Sequence, residues 1–277
     1  MPWTDEAIMA SVTQTSKTAL MLEVLTRLRG RARLHVPLDG GPLPPLYPGC
    51  TLNLTLADAG FGEVPAAQIH DATSGLENSE TNRNGTSVLN ALRTMMSVFL
   101  PLNDPASEVY EAASRLIPVL RDEDGRWPVF YLNWEMALLS QLGHDGGLER
   151  CRYAFSQGET IYISPRSGKS ASRAEAGAFL DRMIAVPGFF LGKKTATVPD
   201  FRQGQEVTTM LFRKFAMPAT GIEELPAERQ AVVRAINGLS GTDVYETGAD
   251  ENFDEESYRR RLLSLRKLKI AERSAAM

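Results

Sequence analysis

A chain of 277 residues with 43% apolar content can bury cores in two modest domains and is not a disordered polypeptide. Its net charge of −4 gives no global attraction to nucleic acid, so any such binding must come from local patches. Two cysteines far apart, Cys50 and Cys151, argue against a disulfide framework and for a reducing compartment; with no basic leader and no long uninterrupted apolar run, a soluble, cytoplasmic protein is expected.

Residues 1–77 are β in character. WTDEAIMASV, TALMLEVLT, RARLHV, CTLNLTLAD and VPAAQIHDA are short runs of apolar and β-branched residues separated by Gly, Pro or charged turns. Strands at this spacing suit a small five-stranded barrel, with an OB-fold leading and an SH3-like barrel equally allowed by the pattern. After the polar run ENSETNRNGTS the period changes. Residues 88–100 read as a helix, and Pro105 opens another to about Arg121. Pro128 sits in the first turn of a third helix, ended by Gly143, whose Trp127, Phe130, Tyr131, Trp134, Leu138 and Leu142 share one face. That stripe reads as a core contact rather than a base-stacking platform.

The next stretch, LERCRYAFSQGETIYISPRSG at 148–168, looks like the front half of a zinc ribbon. A structural zinc site closes with four N or S ligands. Here the other places hold Ala154, Ser172 and Glu175, and His35, His70 and His144 are not paired at ligand spacing, so no zinc is expected. Ser172-Arg-Ala-Glu175 has the form of a capping box launching a helix through Ala185. Further helices follow at about 200–216, with Val207, Leu211, Phe212 and Phe215 inward, and at 227–237. Beyond them, residues 242–256 carry seven acids and no base, and residues 258–273 carry seven bases and one acid.

Nothing in the chain makes an active site. SPRSGKS ends like a phosphate-binding loop, but Ile163 stands where its first glycine belongs. There is no G-x-S-x-G or H-E-x-x-H, and the carboxylates read as scattered on polar faces. Cys151, between Arg150 and Arg152, has no positioned His and reads as a buried turn residue. A non-enzymatic protein without a cofactor is expected.

FYLNWEMALLSQLGHDGGLERC, IYISPRSGKSASRAEAGAF and DFRQGQEVTTMLFRKF resemble the middle of the RecO family of bacterial DNA repair proteins, which are recombination mediators. WTDEAIMASV, ALMLEVLTRLRGR and LYPG resemble the family's barrel strands and the Pro-Gly before the fourth. The resemblance spans roughly residues 2–237 and is strongest over 127–192. It implies an α+β chain: an N-terminal OB-fold β-barrel at 1–77, a mostly helical C-terminal domain at 78–240 with a zinc-less ribbon-like hairpin at 148–175, and an acidic linker and basic tail at 241–277. Cys151 then looks like the remaining member of a zinc quartet. The resemblance also implies a cytoplasmic, nucleoid-associated protein that binds single- and double-stranded DNA, anneals complementary strands, works with RecR, and helps RecA replace single-strand binding protein.

One departure bears on the DNA contacts. Where family members carry a run of Arg and Lys, this chain has HVPLDGGPLPPLYPG, and residues 1–75 hold five bases against seven acids, with Trp3, Tyr47 and Phe61 as their aromatics. The candidate contacts are Lys17, Arg27, Arg29, Arg31 and Arg33 on the barrel, with Arg29, Arg31 and Arg33 alternating onto one strand face, and Arg166, Lys169 and Arg173 near the hairpin. A second reading is a scaffold that keeps the RecR and single-strand-binding-protein contacts with weak DNA affinity of its own.

Overall fold

The computed structural model describes residues 2–38, 43–57, 63–77 and 82–248. Phe61, and the linker and tail from residue 249 onward, lie outside the described residues.

The N-terminal sheet consists of β1 (Trp3–Ser16), β2 (Ala19–Thr26), β3 (Gly30–Pro37), β4 (Thr51–Leu56) and β5 (Ala67–Ala72). Its order is β3-β2-β1-β4-β5, with every neighbouring pair antiparallel. Side chains alternate across the strands as a pleated sheet with one dry face requires. In β3, Ala32, Leu34 and Val36 are buried while Arg31, Arg33 and His35 face outward. Met9, Leu22, Val24, Leu52, Leu54 and Leu56 join them in a core of the sheet's own. The two edges meet at one parallel bridge, His35 to Ala66, beside a hydrogen bond from His35 N–H to the Pro65 carbonyl at 3.0 Å. The expected five-stranded sheet is present, but among the described residues no continuous ladder closes it into the expected barrel.

The other face of β1 and β2 points at the helices. Ile8 and Leu25, directly paired across these strands, belong to the helical core and not to the sheet's own. That core is built from α1 (Arg83–Phe99), α2 (Ser107–Arg121), α3 (Trp127–Gln141), and, later in the chain, α6 (Val198–Leu211) and α7 (Ala227–Gly238). Asn82 caps α1: its Oδ1 accepts from Gly85 N–H at 2.7 Å while its Nδ2 donates to the Leu120 carbonyl at 2.6 Å, tying the start of α1 to the end of α2.

The aromatic stripe of α3 is core, but so are Val129, Leu132 and Leu139 on its other faces. A helix apolar all round belongs at the centre of the fold, and α3 packs against α2 and α6. This position corrects the reading of the carboxylates as lying on polar faces. Glu135 in mid-α3 is fully buried. Arg229 of α7 donates Nε to its Oε1 at 2.7 Å and Nη2 to its Oε2 at 3.0 Å; Tyr131 and Thr208 donate their hydroxyls at 2.8 and 2.6 Å. Burial opposes the Arg229 charge most strongly, but Glu135 and Tyr131 beside it together outweigh burial and hold the guanidinium above its ordinary value.

Between α3 and α6 lies the ribbon: α4 (Arg152–Ser156), a small sheet of β6 (Ile161–Ile163), β7 (Ser170–Ser172) and β8 (Ile184–Ala185), and α5 (Arg173–Ala176). The capping box forms as expected, Glu175 accepting from Ser172 N–H at 2.8 Å and Ser172 Oγ from Glu175 N–H at 3.4 Å. The helix it starts does not reach Ala185. Gly177 adopts φ of 50°, which ends α5 after Ala176; a 3-10 turn at Gly177–Arg182 follows, and Ala185 lies on β8. A two-stranded sheet of β9 (Thr195–Thr197) and β10 (Val244–Glu246) has no counterpart in the sequence pattern, since three-residue strands paired across a long sequence gap leave no periodic signal. Among the described residues no helix is long and apolar enough to cross a membrane.

Candidate nucleic-acid interface

The barrel arginines are mostly engaged. Thr26 pairs with Gly30, so Arg27, Leu28 and Arg29 form the turn between β2 and β3. Arg29 therefore does not share the face of Arg31 and Arg33, which corrects the alternation expected for the three. Its guanidinium instead covers the Trp3 ring, 3.7 Å from the centroid. Arg27 pairs with Glu111 of α2 at 3.3 Å. Arg33 pairs with Glu23, its cross-strand partner, at 3.5 Å. Arg31 reaches across to the end of α1, donating to the Ser97 and Leu100 carbonyls at 3.1 and 3.0 Å and to Ser97 Oγ at 3.2 Å. Burial lowers its pKa, Glu23 opposing the shift and Arg33 adding to it. Lys17, in the turn between β1 and β2, is exposed, and among the described residues it has no acidic partner. It lies at the far end of β2 from Arg29, roughly 25 Å away at the rise of a strand.

The ribbon cations are differently placed. Arg166 and Lys169 lie in the turn joining β6 to β7, and Arg173 opens α5; all three are exposed, with no acidic partner among the described residues. Segment 148–194 holds eight basic residues against four acidic in a chain whose net charge is −4. The turn is held firmly. Ser164 N–H donates to the Lys169 carbonyl at 2.9 Å and Gly168 N–H to the Ser164 carbonyl at 2.8 Å. From outside, Lys214 Nζ donates to the Pro165 carbonyl at 3.0 Å and Arg150 Nη2 to the Ser170 carbonyl at 2.7 Å. No sequence signal places Arg150, Lys214 or His144 at this surface, because they meet the hairpin only in the fold.

Beside the hairpin tip lies a cleft of about 310 Å³, walled by the Gly143–Gly147 loop, the tip and the end of α6. His144, whose N–H closes α3 onto the Leu139 carbonyl at 2.7 Å, has its ring 6.2 Å from that of Phe215. Gly168 is required here: it sits at φ of 67°, and a Cβ on it would fall 2.9 Å from the Phe215 ring. A larger depression of about 400 Å³ on the barrel is lined by Asp5, Glu6, Arg27, Asn53 and His70, a set whose two carboxylates do not suit a polyanion.

The places where a zinc ribbon would carry its ligands are occupied by other bonds. Cys151 is buried, its Sγ 3.2 Å from Ser170 Oγ, and Ser170 Oγ donates to the Gly146 carbonyl at 2.8 Å. Ser172 and Glu175 are committed to the capping box, and Ala154 packs against the helical core. Among the described residues no group of three or more His, Cys, Asp or Glu is placed to hold a metal ion.

Comparison with known proteins matches residues 81–213 to the family model described as "Recombination protein O C terminal". The chain is 30% identical over 244 residues to the DNA repair protein RecO of Cereibacter sphaeroides, covering 85% of this chain and 98% of the relative. It is 27% identical over 241 residues to that of Ruegeria sp., covering 85% and 98%, and 26% identical over 218 residues to that of Caulobacter vibrioides, covering 78% and 89%. With its α+β architecture and these matches along most of its length, the chain belongs to the RecO family of DNA repair and recombination proteins.

Proposed function

We propose that this protein, a member of a family of non-enzymatic recombination mediators, binds single- and double-stranded DNA chiefly along its ribbon and anneals complementary strands there. In this reading it works with RecR to help RecA replace single-strand binding protein, in the cytoplasm at the nucleoid. The functional units are an OB-type unit at 1–77, a helical unit at 78–240 with the ribbon at 148–175, and the charged segment 241–277.

The observation that carries the DNA surface is the contrast in cation pairing. Arg166, Lys169 and Arg173 are exposed and unpaired among the described residues, whereas Arg27, Arg31 and Arg33 face carboxylates within 4 Å. A cation already paired has less to gain from a phosphate, because the carboxylate must first be displaced. The test is a salt titration of binding to labelled single-stranded DNA. Replacing Arg166, Lys169 and Arg173 by Ala should flatten the slope of log K against log salt by about 0.7 for each phosphate left without its cation, similarly for every sequence. Replacing the paired Arg27 and Arg33 instead should change it less. A slope unaltered by the ribbon substitutions would reject the ribbon surface.

The ion pairing of the barrel also favours a second reading, a scaffold for RecR and single-strand binding protein with weak DNA affinity. Retained RecR capture together with salt-insensitive, weak DNA binding by the intact protein would decide for it.

A further inference from the structure

Three features converge on the cleft beside the hairpin tip. The first is the end of α6. A continuous α-helix would carry Phe215 into the core with Val207, Leu211 and Phe212, as its spacing suggests, but the chain forms a π-helical turn over Phe212–Ala216. The wider turn rotates successive side chains differently: Phe212 is fully buried, and Phe215 is left half-buried on the cleft wall. The second is charge. Lys169 and Arg150 stand on the same walls; the cleft's carboxylate, Asp145, already accepts the Gly147 N–H at 2.9 Å. The third is size. About 310 Å³ is at the low end of the range for small-ligand sites, room for one ring system and its anionic group but not for a base pair.

We infer that this cleft seats one nucleotide of a single strand, its base against Phe215 and its phosphate against Lys169 and Arg150. The inference rests on the proposed ribbon surface and adds to it an interaction that only an unpaired base can make. An aromatic wall beside cations is the combination that binds single strands without sequence preference, since every base has a π-face. Continuation of the basic surface outward to Arg166 favours a polyanionic chain over a single carboxylate. A strand held here with one base unstacked is kept out of duplex stacking yet open along its remaining length, a state from which pairing with a complement can start.

The test uses the full chain, a labelled oligothymidylate, and the same strand with abasic sites in place of its bases. The intact protein should prefer the base-bearing strand by about tenfold, as expected from one stacked base. Phe215→Leu, which keeps an apolar wall, should remove most of that preference while leaving the salt slope unchanged; Phe215→Tyr should retain the preference. Lys169→Ala should lower affinity for both strands and flatten the slope by about 0.7. If Phe215→Leu keeps the preference of the intact protein while Lys169→Ala still flattens the slope, the nucleotide seat is wrong, the ribbon surface stands, and the cleft is left to an anionic peptide. If replacing Arg166, Lys169 and Arg173 leaves the slope unaltered, the ribbon surface fails and the seat fails with it.

Discussion

Arg31 commits its guanidinium to the last carbonyls of α1 and is only 11% exposed at its side chain, whereas Arg33 two residues on is half in solvent. Chain alternation makes them equivalent; the fold does not. Arg31→Ala removes charge-assisted bonds to carbonyls at a helix C-terminus and should cost about 2 kcal/mol of stability. Arg33→Ala loses one exposed pair and should cost less than about 1 kcal/mol. Urea denaturation of the two variants measures the difference, and near-equal midpoints would show that Arg31 does not tie the sheet to the helices. Glu135 is a starker case. Glu135→Ala leaves Arg229 buried and unpaired, and a loss of about 3–5 kcal/mol is expected, recovered in part when Arg229 is replaced by Met in the same chain. Cys50, fully buried, has its thiol pushed by burial from its usual value near 9 up to about 11. The folded state then resists deprotonation more than the unfolded state does. The stability this gives is complete below about pH 9 and lost as pH rises towards 11. Cys50→Ala should therefore weaken the fall in urea midpoint between about pH 8.5 and about pH 10.5, and an identical fall in both proteins would contradict that assignment.

At the scale of elements, the ribbon shows how a short hairpin is held by packing and capping. Ile161 and Ile163 of β6 are buried in the helical core, Cys151 meets Ser170, and the Ser172–Glu175 box starts α5. Packing and capping hold what four thiolates would otherwise hold. Elemental analysis of the purified protein should find no stoichiometric zinc, and chelators should leave its thermal unfolding unmoved; one zinc per chain would overturn this. The turn between β2 and β3 is a second element with a tertiary duty. Gly30 sits at φ of 67°, and a Cβ there would fall 1.9 Å from the Asp104 carbonyl oxygen, in the loop between α1 and α2. Gly30→Ala should cost about 2 kcal/mol or more, because both the backbone conformation and the close approach oppose a side chain.

For the whole molecule, the distribution of charge matters more than its sum. The acidic stretch 242–256 and the basic stretch 258–273 nearly cancel, whereas segment 148–194 holds more cations than acids, and its Arg166, Lys169 and Arg173 have no acidic partner among the described residues. Deleting residues 257–277 should reduce affinity for single-stranded DNA severalfold at low salt and leave folding intact, since screening confines such charges to a range of about 8 Å at physiological salt. Unchanged affinity across the salt range would remove the tail from DNA binding.

Several features were legible in the sequence because they depend on neighbours in the chain. Apolar and β-branched runs bounded by turns marked β2 and β3, the Pro128 start and Gly143 stop bounded α3, and Ser172 with Glu175 announced a cap. The RecO resemblance needed only motifs. What the tertiary structure decided depends on groups far apart in sequence. It determined that Glu135 meets Arg229 across 94 residues, that Arg31 is structural, that Phe215 sits half-buried at the core's edge, and that Arg150, Lys169 and His144 share one cleft. Burial and ion pairing are properties of the space around a side chain. Local periodicity carries the direction in which a residue points, but not what the rest of the fold places there.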